Sequence, residues 1–315
     1  MLLEKEGKLL WKALKSFGVC GEVEYTFIAD LLLRCFKKDM EIFAFAREEG
    51  GRRVFYQYDE PETGYHRLLP LFFTEDVEKS LMDNLGQAGW TLQRMKFREL
   101  GEMVASQKDG CLGVTIDPFD LGFILAPVAF QMAMALQEPQ AHVCAVRGDM
   151  LSMSGDALLC PTDRTFSGSG EMEKQVALAL KMSERVKADI RSHLCQSECS
   201  SGDVADFRGE MVDVSPLDYD HIFFQVSPEV AVPKEIYACL AVMMYQAAKK
   251  GAQLVITPCV GIEMWENREE YVKATLAAYD GWIGLHPGQL TNLMICCPDE
   301  ETQRIYHTFL QARHG

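Results

Sequence analysis

Ala157-Leu158-Leu159-Cys160-Pro161-Thr162-Asp163-Arg164-Thr165-Phe166-Ser167-Gly168-Ser169-Gly170 runs from a short apolar segment, through a loop of small and polar residues, to a long amphipathic stretch. The first four residues form a short strand-like run. Proline, aspartate and alternating glycines then mark a loop. From Glu171 to Ile190, one stripe at helical spacing holds Met172, Val176, Ala179, Ser183, Val186 and Ile190, which predicts a single helix with one buried face. Strand, loop and helix in that order form the repeating unit of a parallel α/β sheet.

The alternation continues on both sides. Val143–Arg147 and His221–Val226 read as strands. Glu235–Lys250 reads as a helix stopped by Gly251, and Gln253–Thr257 as a buried strand closed by Pro258. Asn267 with Glu270 resembles a capping box, Leu290–Cys296 a further strand, and Asp299 the cap of a last helix through Leu310. The expectation is a three-layer α/β/α domain over 137–315. Upstream the order is mixed. Leu2, Leu3, Leu9, Leu10, Leu14 and Phe17 suit a helix, and Glu41–Phe45 and Arg53–Tyr56 a hairpin around Gly50-Gly51. Arg67–Phe73 reads as a strand, and Thr74 as the cap of a helix containing Val77 and Leu81. Cys111–Ile116 reads as a buried strand ending at Asp117-Pro118. These elements predict an α+β domain over 1–136, followed by a linker at Gln137–Gln140.

Composition narrows the partners. The 315 residues carry 31 Lys+Arg against 46 Asp+Glu, a formal net charge of -15, and neither half is basic. Such a field repels a phosphate backbone or an anionic membrane, so neither nucleic acid nor membrane is expected as a partner. The longest apolar run, Leu121–Leu136, is interrupted by Gly122, Pro127 and Gln131 and is too short to span a bilayer. The chain opens with charge where a secretory peptide would be apolar, which predicts a cytoplasmic setting in which the 11 cysteines are mostly small hydrophobes. His193, Cys195 and Cys199 lack a CxxC pair, so no metal is expected there, nor any cofactor.

Chemistry in such a sheet belongs to the loops beyond the carboxyl ends of its strands. The first is Pro161–Gly170, whose glycines and helix start can approach phosphate or serve plain chain reversal. It is neither a P-loop nor a dinucleotide fingerprint, because the third glycine position is Glu173. The second is Pro258-Cys259-Val260-Gly261-Ile262-Glu263-Met264-Trp265. Cys160 at a strand end is either a nucleophile or a buried structural thiol. Phe166 and Trp265 either stack on a ligand or close the cleft. His221 is read as a structural histidine, and adjacent Cys296 and Cys297 as one core and one surface residue.

Gly148-Asp149-Met150, Asp156–Leu159, the Ser/Gly loop, the strand ending at Ser227-Pro228, and Leu254–Pro258 before its loop and helix together resemble the macro domain over about residues 141–312. The resemblance implies a cleft for ADP-ribose or a related nucleotide diphosphate. Asp149 would meet the adenine beside Met150, though from the residues alone it is equally the cap of a turn. Ser167, Gly168, Ser169 and Gly170 would form the first phosphate loop, and Val260, Gly261 and Ile262 the second. Cys160 and Asp163 stand where that family carries asparagines for the distal ribose and a catalytic water. Cysteine supplies no amide donor or acceptor, and no general base is evident, so no catalytic residue is assigned. The expectation is binding without efficient catalysis, the alternative an interaction scaffold with an empty cleft. Leu69–Thr74, Phe97–Leu100 and Gly113–Phe119 resemble the N-terminal domain of the SseB family over about residues 22–136, with Asp117 where asparagine is usual. That likeness implies an α+β fold and no transferable activity.

Overall fold

A computed structural model describes residues 5–60, 64–107, 112–194, 202, 204–207 and 214–314. The chain divides into two units, Met1–Gln140 and Ala141–Gly315. In the first, the elements are α1 (Lys5–Cys20), α2 (Tyr25–Lys37), β1 (Glu41–Glu49), β2 (Arg52–Phe55), β3 (Tyr58–Glu60), β4 (Tyr65–Leu71), α3 (Lys79–Gln87), β5 (Thr91–Lys96), α4 (Phe97–Ala105), β6 (Leu112–Ile116), β7 (Phe123–Leu125) and α5 (Pro127–Ala135). They build two small sheets, β2-β1-β5 and β3-β4-β6-β7. The β1–β2 hairpin turns at Gly50-Gly51, where both φ values are positive, 57° and 74°, a conformation glycine adopts without a Cβ clash.

Three features of this unit differ from the sequence reading. Thr74 caps no helix: α3 begins four residues after Glu75, at Lys79. Val77 stays outside it and packs with Phe43, Phe45, Phe72 and Leu85, so burial of an apolar side chain overrides the cap signal. Helix α2 was not expected, because charged Asp30 and Arg34 interrupt its apolar stripe. Both are buried, paired at 2.6 Å one turn apart. The pair also fixes the segment read as a linker, since Asp30 Oδ1 accepts from Gln140 N at 2.6 Å and Arg34 Nη2 donates to Gln140 O at 2.5 Å. The chain leaves this unit through a clamped backbone. Leu2, Leu3, Cys111, Cys195 and Cys199 lie outside the described residues.

The second unit contains β8 (Val143–Val146), β9 (Gly155–Thr162), α6 (Glu171–Ala179), α7 (Glu184–Leu194), β10 (Val204–Phe207), β11 (Tyr219–Val226), α8 (Pro233–Lys250), β12 (Leu254–Pro258), α9 (Arg268–Leu285), β13 (Asn292–Cys296) and α10 (Glu300–His314). Its sheet has the order β10-β11-β9-β12-β13-β8, parallel except at β10. Alternation puts Ala157, Leu159, Phe223, Val255, Leu293 and Ile295 on one face, in a core with α8, α9 and Tyr306 of α10. On the other face, Phe224 meets Phe166 edge-on and α6 packs on β9. Helices therefore cover both sides of the sheet, the expected three layers.

Two boundaries shift. Strand β9 runs to Thr162 rather than ending at Cys160, with Pro161 paired in register to Gln225. Strand β12 registers with β9 only at Ala157 and Leu158, so the missing N–H of Pro161 meets no second strand. The expected single helix over 171–190 is two helices. Lys181 adopts a left-handed φ of 49°, and Ser183 Oγ then accepts from Val186 N at 3.3 Å as the cap of α7. Cys296 and Cys297 are both buried, 5% and 7% exposed, instead of dividing between core and surface.

Candidate functional site

Strands β9, β11 and β12 end side by side, and their following loops start at Asp163, Ser227 and Cys259. These loops border an open cleft of about 410 Å³ lined by Thr162, Asp163, Ser169, Gly170, Glu229 and Glu263 among others. That is the position at which open α/β sheets bind ligands.

The first loop is organised by two carboxylates. Asp163 Oδ1 accepts from Thr165 N at 2.7 Å, an Asx turn, and from Thr165 Oγ1 at 2.6 Å. Ser167 donates both N–H and hydroxyl to Asp163, and Ser169 Oγ donates to Oδ2 at 3.1 Å. Partial burial pushes the Asp163 carboxyl up, but the hydrogen bonds from Ser167, Thr165 and Ser169 outweigh it and hold the group at about 2. Glu173 is 2% exposed and reaches back from the first turn of α6. Its Oε1 accepts from Gly168 N and its Oε2 from Thr162 Oγ1, both at 2.6 Å. The left-handed φ of 74° at Gly168 belongs to this contact. The N–H groups of Thr165, Ser167 and Gly168 are therefore turned onto the loop's own carboxylates, and Ser169 N donates to Ser167 Oγ at 3.2 Å. Gly170, Glu171 and Met172 open on the cleft at the start of α6, which has no side-chain cap.

The lining is acidic. Asp163, Glu171, Glu229 and Glu263 face one cation, Arg164, which sits 2.8 Å from Glu229 Oε1. In the second loop, Gly261 has φ 76°, and an added Cβ would meet Met264 at 3.0 Å and Pro228 at 3.2 Å. Ile262, Met264 and Trp265 donate their N–H groups to Cys259 O, Gly261 O and Ile262 O within a single 3₁₀ turn. Val260 O accepts from Tyr271 Oη at 3.2 Å, and the Val260 side chain lines a separate cavity of about 40 Å³.

The remaining residues singled out in the sequence fall elsewhere. Asp149 spends its carboxylate on Leu151 N at 3.0 Å and Ser152 Oγ at 2.6 Å, and Met150 O accepts from Tyr219 Oη at 2.5 Å. Neither lines the cleft. Cys160 is fully buried, and burial, with the nearby Glu173 charge, pushes its thiol well above the ordinary range. Phe166 is 1% exposed, held edge-on to Phe224 with centroids 5.1 Å apart, and Trp265 is packed edge-on to Tyr271. Ser167 and Gly168 border a different groove, with α6 and α7. Among the described residues, no three His, Cys, Asp or Glu side chains are grouped to hold a metal ion, and no helix is long and apolar enough to cross a membrane. The sequence reading missed Glu229 and Arg164. Glu173 was noted only as a departure from a glycine motif, although a glutamate three residues past a helix's cap residue, here Gly170, is itself a capping signal.

No family model matches this chain, and no curated protein matches it in sequence. Solved structures similar to it include macrodomains. One from Trypanosoma brucei, in complex with ADP-ribose, is 18% identical, with a TM-score of 0.43 over 54% of this chain and 69% of that one. One from Oceanobacillus iheyensis, solved with ADP, is 16% identical, with a TM-score of 0.46 over 54% of this chain and 90% of that one. The macro domain of ganglioside induced differentiation associated protein 2 is 12% identical, with a TM-score of 0.44 over 54% and 83%.

Proposed function

We propose that this protein is a non-catalytic binding scaffold whose C-terminal unit is a divergent macro-like module with its diphosphate site filled by the protein's own carboxylates. The observation that carries this reading is Glu173, buried, with one oxygen on Gly168 N and the other on Thr162 Oγ1. A phosphate bound by the Gly168 N–H would have to displace that carboxylate, whose desolvated charge would then lack its partners. A phosphate in the cleft itself would meet Asp163, Glu171, Glu229 and Glu263, with the one arginine of the lining already paired. Burial, which pushes the Cys160 thiol well above the ordinary range, argues against Cys160 as a nucleophile.

A second reading, binding of ADP-ribose or a related nucleotide diphosphate without turnover, is favoured by one feature: the uncapped first turn of α6 opens on the cleft. Calorimetric titration of ADP-ribose into the full chain separates the two. The scaffold reading expects no saturable heat up to millimolar ligand. One-to-one binding in the micromolar range would establish the second reading instead.

A further inference from the structure

Ser169 and Gly170 border the acidic cleft, whereas Ser167 and Gly168 border a second groove of about 550 Å³ between the loop, α6 and α7. In a chain of net charge -15, this groove gathers Lys174, Lys181, Lys187 and Arg191 against two carboxylates, Glu184 and Glu173, the latter buried and already bonded to Gly168 N and Thr162 Oγ1. Glu184 engages two of them, Lys187 at 2.9 Å and Arg191 at 4.0 Å. Among the described residues, Lys174 and Lys181 have no carboxylate within ion-pair distance. Leu178, 79% exposed, stands in the same lining beside Ala177 and Met182. Lys181 also holds a left-handed backbone, at the break that sets α7 apart from α6. Strain of that kind in a lysine persists where surrounding structure over-determines it.

We propose that this groove docks an acidic peptide segment of a partner protein, one that also carries an apolar side chain. The cations select negative charge, and Leu178 with Ala177 and Met182 offers an apolar contact that a free anion could not use. A nucleic acid would extend beyond four cations onto a surface whose summed charge repels it. The proposal deepens the scaffold reading and rests on it for its purpose, but it concerns a separate surface from the cleft.

The test titrates the full chain into a fluorescein-labelled peptide of glutamates punctuated by leucines, read by anisotropy. The expected result is saturable binding that weakens as salt is added. Lys174→Glu combined with Lys181→Glu should weaken it about tenfold, the scale of two lost charge contacts at an exposed rim. Lys181→Gly keeps the left-handed backbone and removes only the side chain, so it should weaken binding without lowering the thermal midpoint. Absence of saturable peptide binding, equal affinity in the charge-reversed variant, or tighter binding of oligothymidylate would overturn the proposal. ADP-ribose added to the peptide complex should leave the anisotropy unchanged. Displacement of the peptide by ADP-ribose would show that the two ligands share a site and would overturn the groove assignment. ADP-ribose that binds without displacing the peptide would refute the filled cleft alone and leave the groove standing.

Discussion

Asp117 ends β6 in a left-handed conformation, φ 41°, and organises the turn beyond it. Its carbonyl accepts from the N–H groups of Asp120, Leu121 and Gly122, and its carboxylate accepts from Phe73 N at 3.1 Å. Burial pushes this carboxyl up to about 6 and Asp120 adds to it, against the opposing effect of the Phe73 hydrogen bond. The folded chain thus holds the proton more tightly than the unfolded chain between about pH 4 and 6, and stability falls as pH rises through that window. Asn suits the left-handed backbone and keeps an oxygen for Phe73 N. Asp117→Asn should therefore raise stability at pH 7 by about 1–2 kcal/mol, with no gain below about pH 4. Thermal melts across pH check this, and an unchanged slope between pH 4 and 6 would refute the assigned cause. The sequence placed Asp117 at the end of a strand but gave no sign of its charge penalty, whose main cause is burial in the folded chain.

At the scale of elements, the break between α6 and α7 shows what periodicity hides. Six positions at helical spacing ran through Ser183 as though it were a small core residue. A lone serine in an apolar stripe is equally a cap, and here its hydroxyl accepts from Val186 N. Ser183→Ala should cost about 1 kcal/mol of stability, read as a lower unfolding midpoint, because it leaves an N–H of α7 unsatisfied. A neutral substitution would mean that solvent caps the helix equally well. The elements that were legible are those whose signals are local. Gly251 ends α8 at φ 71°, Asn267 accepts from Glu269 N and Glu270 N to open α9, and Asp299 accepts from Thr302 N to open α10. Helix α2 was not legible, because Asp30 and Arg34 are accommodated inside it by each other and by Gln140, which is far away in the sequence.

Across the whole molecule, the sheet order brings loops from β9, β11 and β12 to one edge, and the sequence located two of those three loops. It did not show which way their polar groups point. Alternating serine and glycine before a helix is compatible with an open amide cradle or with one closed by its own side chains. The choice depends on Glu173 and Asp163, one read as a motif break and the other as standing in place of a family asparagine. Their hydrogen bonds close the cradle, and the charged lining of the cleft is consistent with that closure. Amide hydrogen exchange of Thr165, Ser167 and Gly168 in the full chain, with and without ADP-ribose, reads this directly. Slow exchange at Gly168 in the free protein, faster in Glu173→Ala and unaltered by ADP-ribose, is the expected result. Fast exchange in the free protein that slows when ADP-ribose is added would contradict it.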